Sequence, residues 1–139
     1  MYAKLLGPAA LYIDTAGKEV PMAKSIQQLR IYQTARGAED LVYDLVKLFP
    51  AEQYYSLGKD LYRTSAGVSH YIMEAHRLFS YPLKLDALAS ARREAEAAQK
   101  LLESARDLGV SDELLESYVT IIKQSFSLTN WFKAKLVKR

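Results

Sequence analysis

The strongest constraint in this 139-residue sequence is a long, regular apolar stripe over residues 53–79. Apolar or near-apolar positions recur there at alternating steps of four and three. Such steps keep side chains on one side of a helix as it turns, which is typical of a helix packed in a bundle. The stripe consists of Leu57, Leu61, Thr64, Val68, Tyr71, Ala75 and Leu78. The spacing therefore predicts one long amphipathic helix that needs other helices to cover it.

Further segments with helical periodicity surround this one. The four helices are predicted at about 25–49, 53–80, 84–108 and 111–137. Pro50 and Pro82 end the first two, because proline disfavours helical geometry at the residue before it, and Gly109 ends the third. Helices joined by links this short must lie antiparallel. The sequence predicts an all-α fold, an antiparallel up-down four-helix bundle over residues 24–139 with a short N-terminal extension.

Small residues mark two places where helices pack. Gly37 lies inside the first helix, where glycine costs up to ~1 kcal/mol relative to alanine. A close helix crossing would explain it, and so would a tolerated weakness. The third helix has a stripe made mostly of alanine: Leu88, Ala91, Ala95, Ala98, Leu102 and Ala105. Small side chains let a neighbour approach closely, so this helix should form the tightest pair.

Residues 1–23 differ from the rest of the chain. A short apolar run at 11–13 and a second at 19–20 flank a turn-like segment, so we expect an N-terminal arm or a short hairpin. The apolar stretch at 1–13 is interrupted by Gly7 and Pro8, and it is too short to span a bilayer. It also lacks the order of a signal peptide. We expect a cytoplasmic protein with no membrane partner.

The sequence contains no pattern typical of a catalytic centre. With no cysteine, a disulfide framework and a thiolate metal site are excluded. His70 and His76 are six residues apart and would lie on different sides of a helix. Metal-binding bundles favour Glu followed three residues later by His, whereas Glu74 is followed at that distance by Arg77. We expect no enzymatic activity, no cofactor and no metal site.

Basic residues supply the candidate binding site. The formal charge of +3 permits an acidic partner such as RNA, and no acid follows Glu116. The cations expected to contact nucleic-acid phosphates are Lys59, Arg63, Arg77, Lys123, Lys133, Lys135 and Lys138. For the C-terminal group, a solvated basic tail is an equally good interpretation.

Tyrosine is unusually frequent, with ten copies. Tyr54 and Tyr55 lie close before Lys59, and Tyr62 adjoins Arg63. Aromatic rings interleaved with bases can stack on unpaired nucleotides while the cations bind phosphate. Tyrosine is also common at protein interfaces, where its ring is buried and its hydroxyl stays bonded. The sequence favours the interface and leaves stacking open.

The fourth helix carries more apolar surface than one bundle can bury. Beyond its main stripe, Val119, Phe126 and Trp131 spread apolar character around most of the circumference. A helix that is apolar on more than one side usually has a second partner. We therefore expect self-association through these three residues.

Three segments resemble a known family. They are Arg30-Ile31-Tyr32-Gln33-Thr34-Ala35, the corner Leu48-Phe49-Pro50-Ala51-Glu52, and the run from Tyr55 to Arg63. They are similar to segments of the four-helix-bundle proteins encoded in intervening sequences of bacterial large-subunit rRNA genes. Relatives of that family include accessory variability determinant proteins of diversity-generating retroelements. In the next segment Arg63, Ile72 and Glu74 match the family pattern, whereas its proline, asparagine and final glycine are absent.

The resemblance implies a protein without catalytic residues, assembled as a ring-shaped homopentamer. In the retroelement relatives the basic ring binds nucleic acid and a reverse transcriptase. The expected function is therefore non-enzymatic binding of RNA or DNA through basic surface residues by a homo-oligomer. The alternative is a protein-interaction scaffold, such as an accessory subunit of a reverse transcriptase.

Overall fold

The structure is a computed structural model that describes residues 11–13, 19–21 and 29–137. Four long helices make up most of the described part. Helix α1 is Arg30–Val46, α3 is Tyr81–Ser104 and α4 is Asp112–Val137. Helix α2 is the continuous run 51–77, in which a π-helical turn, Tyr54–Gly58, separates Ala51–Gln53 from Lys59–Arg77. A 3₁₀ turn, Arg106–Leu108, follows α3.

Two three-residue strands precede the bundle. Strand β1 (Leu11–Ile13) pairs antiparallel with β2 (Glu19–Pro21), with Tyr12 opposite Val20, and β1 lies beside α4. The turn between the strands and the predicted start of the first helix, at about residue 25, lie outside the described residues. The described part of α1 begins at Arg30.

Each helix runs antiparallel to the next, and the bundle closes between α4 and α1. The rings of Tyr43 on α1 and Tyr62 on α2 are 5.7 Å apart, and the Arg92 guanidinium on α3 lies 4.7 Å from the Phe126 ring on α4. Contacts link α1 to α2, α2 to α3, α3 to α4 and α4 to α1, so α2 and α4 lie diagonally across the bundle. The predicted all-α four-helix bundle is confirmed.

The pairing of α2 with α3 is the most extensive in the bundle. Ala91, Ala95 and Ala98 on α3 are completely buried, as expected for a stripe of small residues that lets the helices approach closely. On the facing side of α2, Gly67 lies directly under the side chain of Glu94. Small residues on both helices therefore set this separation.

The link between α2 and α3 differs from the prediction in one respect. Ser80 and Pro82 belong to the start of α3 and do not end the second helix. The Leu83 amide donates to the Ser80 hydroxyl at 3.4 Å, which caps the new helix. Proline is tolerated in a first turn because its missing N–H would have no partner within the helix. Consequently α3 begins three residues before Lys84 and carries that lysine in its first turn.

The π-helical turn is packed against the end of α1. A side-chain carbon added at Gly58 would lie 3.1 Å from the Tyr54 ring and 3.2 Å from the Phe49 ring. A larger residue than Gly58 would therefore crowd the contact between the two helices and require one of these rings to shift by a few tenths of an ångström. Gly37, in contrast, is exposed, and an added carbon there would meet nothing within 4 Å. The close-crossing explanation for Gly37 is thus excluded, which leaves the tolerated weakness.

These two glycines give opposite predictions. Gly37→Ala should raise the free energy of unfolding by up to ~1 kcal/mol, because alanine is the better helix former and the new methyl meets open space. Gly58→Ala should lower it, since the methyl crowds two aromatic rings. The measurement is the urea midpoint of each variant against wild type. A Gly58→Ala protein as stable as Gly37→Ala would contradict this packing.

Candidate functional site

The three predicted cations of α2 lie on one outward stripe of that helix. Lys59, Arg63 and Arg77 are all exposed, and His70 lies on the same stripe between the two arginines. Their spacings of four, seven and seven residues are close to whole helical turns, so all four residues lie within a sector of about 40° around the helix. At about 1.5 Å per residue the stripe is about 27 Å long. We call these four residues the α2 cationic stripe.

Carboxylates on one edge of this stripe bind its two arginines. Arg63 contacts Asp60 at 3.4 Å, and Arg77 donates to both oxygens of Glu74 at 2.7 and 2.6 Å. The bond from Arg77 holds the pKa of Glu74 below its usual value. Asp60 and Glu74 lie toward α3, on the side of α2 where Gly67 meets Glu94. Both arginine side chains nevertheless remain about 70% exposed, at 68% and 71%.

The predicted cations of α4 lie elsewhere. Lys123 and Lys133 are exposed on its outward face, whereas Lys135 is partly buried with its ammonium 5.0 Å from the Trp131 ring. Lys138 lies outside the described residues. Because α2 and α4 are diagonal neighbours, these lysines and the α2 cationic stripe face away from each other. One protomer does not bring the predicted cations together into a single surface.

The predicted interface residues of α4 are not fully covered by their own protomer. Phe126 is 47% exposed beneath Arg92, and Val119 is partly exposed. Trp131 packs edge-on against Phe132 at 5.0 Å and has only part of its surface free. Val119 and Phe126 share the outward face with Val137, which is 86% exposed.

The outward face of α4 has a heptad spacing of its own. Its members follow at steps of four and three and comprise three apolar residues, two lysines and an asparagine: Val119, Lys123, Phe126, Asn130, Lys133 and Val137. We call this the α4 outward stripe. Trp131 does not belong to it, since it lies about 90° away around the helix.

Sequence reasoning missed two residues of α1 that lie beside α2. The ammonium of Lys47 lies 4.5 Å from the Tyr43 ring, and Tyr43 contacts Tyr62 of α2. The sequence did contain a signal that these two residues share an exposed surface, because Tyr43 and Lys47 are one turn apart and lie off the apolar stripe of α1. It was weak, since nothing in the sequence alone shows that Tyr43 faces Tyr62.

A buried lysine at the junction of α2 and α3 was also missed. Lys84 is completely buried, and its ammonium donates to the backbone carbonyls of Ala75 at 2.7 Å and His76 at 3.2 Å. Those carbonyls belong to the last turn of α2, where backbone acceptors lack helical partners and attract a cation. Burial lowers the pKa of Lys84 to about 8, and burial together with the nearby Lys84 lowers the pKa of His76.

A cavity of ≈30 Å³ lies beside this junction. It is lined almost entirely by apolar atoms, including those of Ile72, Leu88 and Phe132. A single water needs about 10–15 Å³ on this scale, so the cavity has room for only a few water molecules and is too small for a substrate or an organic cofactor. The buried lysine therefore serves to hold the end of α2 against α3.

The described ranges contain neither a cluster of metal ligands nor a membrane-spanning helix. No group of three or more carboxylate or imidazole side chains there is placed to hold a metal ion. None of the helices over residues 29–137 is long and apolar enough to cross a membrane.

Comparison with known proteins gives one match. A model of the 23S rRNA-intervening sequence protein family matches residues 27–130, about three-quarters of the chain. The matched region contains the α2 cationic stripe and most of α4, and it ends before Lys133. No curated protein and no solved structure matches the chain.

Titration of Lys84 should leave a signature in the pH dependence of stability. The unfolded chain keeps a proton on this lysine up to its ordinary pKa of 10.5, whereas the native protein releases it near 8. Unfolding therefore takes up a proton between these values, and native stability rises with pH in that window. Relative to Lys84→Met, the wild-type free energy of unfolding should increase from about pH 8 to about pH 9.5 in urea titrations.

The exposed Lys100→Met variant is the control for this measurement, and its stability should follow that of wild type at every pH. Parallel pH profiles for wild type and Lys84→Met would show that Lys84 keeps its ordinary pKa in the folded protein.

Proposed function

Because the chain belongs to the 23S rRNA-intervening sequence protein family, we propose that it is a cytoplasmic, non-enzymatic protein that assembles as a homo-oligomer and binds RNA. The phosphates are bound by the outward face of α2. The observation that carries this proposal is the alignment of Lys59, Arg63, His70 and Arg77 along about 27 Å of one exposed helix face.

The chemistry of the α2 cationic stripe suits a phosphate backbone. Arginine presents a planar fork of donors that matches phosphate oxygens, and lysine supplies a compact charge. Both arginines form ion pairs with nearby carboxylates, but an exposed ion pair of this kind contributes only ~0–1 kcal/mol to stability. A phosphate can therefore share or replace these partners at little cost.

Self-association fits the opposite side of the bundle. The α4 outward stripe places three apolar residues, two lysines and an asparagine in a heptad spacing, which is a pattern that another helix can cover. A second copy docked there would bury Val119, Phe126 and Val137. Since α2 is diagonal to α4, a copy docked on the α4 outward stripe lies on the side of the bundle away from that protomer's α2 cationic stripe. Five subunits is the number that the family resemblance implies.

The proposal is tested by RNA binding across a salt series. The triple variant Lys59→Gln/Arg63→Gln/Arg77→Gln should bind a short single-stranded RNA more weakly than wild type in fluorescence anisotropy. The slope of log affinity against log salt should fall by about two, because each lost phosphate contact removes ~0.7 for a single strand.

A matched triple variant on α3 and the 3₁₀ turn after it, Arg93→Gln/Lys100→Gln/Arg106→Gln, removes the same charge from other exposed positions and should retain most of the affinity. Equal losses in both triple variants would mean that net charge alone drives binding. Wild-type affinity that does not change with salt would refute the phosphate-binding role. Capture of a protein partner that survives nuclease treatment, without RNA binding, would favour the interaction scaffold.

A further inference from the structure

A group of exposed tyrosines and lysines lies where α1 meets α2. Tyr43 and Lys47 come from α1, and Tyr55, Lys59 and Tyr62 come from α2. The exposed fraction is 48% for Tyr43, 72% for Tyr55 and 40% for Tyr62, although burial of a tyrosine ring normally stabilises a protein. We call these five residues the tyrosine face.

Rings and cations alternate across the tyrosine face. The Lys47 ammonium is 4.5 Å from the Tyr43 ring, and the Lys59 ammonium is 5.9 Å from the Tyr55 ring. Tyr43 and Tyr62 meet at 5.7 Å with their planes tilted by 50°. Val46 lies against Gly58, so the following residues, Lys47 and Lys59, are at the same level of the bundle. The face is therefore continuous between the two helices.

The tyrosine face borders the α2 cationic stripe and shares Lys59 with it. Around α2, Tyr62 lies on the side toward α1 and Tyr55 lies beside Lys59, whereas the carboxylates of Asp60 and Glu74 lie on the side toward α3. An RNA strand that follows the α2 cationic stripe thus meets aromatic rings along one edge and carboxylates along the other. Phosphates are repelled from the acidic edge, so the bases turn toward the rings.

The π-helical turn gives Tyr55 its exposed position. This turn inserts extra backbone into α2, and it directs Tyr54 against Gly58 while Tyr55 stays largely in solvent. The centroids of the Tyr54 and Tyr55 rings are 5.4 Å apart in an edge-to-face arrangement, so Tyr54 also packs against Tyr55. π-helical turns are rare and frequently occur at functional sites.

We propose that the tyrosine face stacks on unpaired bases of a single-stranded RNA segment whose phosphates lie along the α2 cationic stripe. This inference rests on the proposed function and specifies its ligand, a single strand and not a duplex. Bases of any identity can stack on tyrosine, so recognition is tolerant of sequence. Duplex RNA keeps its bases inside the helix and offers this face only backbone.

A second copy of the chain is the less suitable occupant. Docking there would remove Lys47 and Lys59 from water, together with Asp44, which lies 3.5 Å from Lys47. Burying charges in this way is costly without precise partners. The α4 outward stripe also carries two lysines, but it has no acid and offers a copy three apolar positions in a heptad pattern. A single strand, in contrast, supplies both the rings and the negative charges that the tyrosine face can bind.

The test compares wild type with Tyr55→Leu/Tyr62→Leu, which keeps apolar bulk and every charge but removes two stacking rings. The probes are a short single-stranded RNA of mixed sequence and the same RNA annealed to its complement. We expect the double variant to lose about tenfold or more in affinity for the single strand, with an unchanged salt slope. Its affinity for the duplex should stay at the wild-type value.

Phe79→Leu is the matched control, because Phe79 is 76% exposed at the far end of α2, away from the tyrosine face. It should bind both probes like wild type, and thermal unfolding by circular dichroism should show that all variants fold. If Tyr55→Leu/Tyr62→Leu binds the single strand as wild type does, the stacking role is wrong while the phosphate role stands. Loss of self-association in that variant would assign the tyrosine face to a second copy. If wild type binds neither probe, the proposed function falls and this inference with it.

Discussion

The close packing of α2 on the alanine stripe of α3 is the constraint on which the rest of this structure depends. Ala91, Ala95 and Ala98 let α2 approach until Gly67 lies under Glu94, and the buried Lys84 ties the end of α2 to the start of α3. With α3 held between α2 and α4, those two helices take diagonal positions. Each then keeps an outward face of its own, one cationic and one mixed apolar and basic.

Much of the fold could be predicted from periodicity alone. The alternating steps of four and three fix which side of each helix is buried, and Leu61, Val68 and Ala75 of the predicted α2 stripe are indeed in the core. The alanine stripe of α3 indicated a close partner, and α2 fills that role. Pro82 was misinterpreted because proline is compatible with both the end of one helix and the first turn of the next. The hydrogen bond from the Leu83 amide to the Ser80 hydroxyl shows that Pro82 belongs to the first turn of α3.

The candidate site was less accessible to sequence reasoning, since it depends on how helices face one another. Lys59 and Lys123 both belong to helices with three lysines or arginines, and nothing in their spacing shows that they lie on opposite sides of the bundle. Tyr43 gains its significance only through Tyr62, a residue nineteen positions away on another helix. Lys84 reads as an ordinary surface lysine in the sequence, yet it is completely buried. Side chains that act through a neighbouring helix have no local signature.

In the proposed function, RNA binding is assigned to α2 and self-association to α4. Lysine acetylation footprinting of the assembled protein, with and without single-stranded RNA and read by mass spectrometry, tests this assignment most directly. In the free protein, Lys59 should react quickly, while Lys123 and Lys133 react slowly because a second copy covers the α4 outward stripe. Adding RNA should protect Lys59 and leave the α4 lysines unchanged. If Lys123 reacts as fast as Lys59 in the free protein and becomes protected by RNA, the two faces do not have the roles assigned to them.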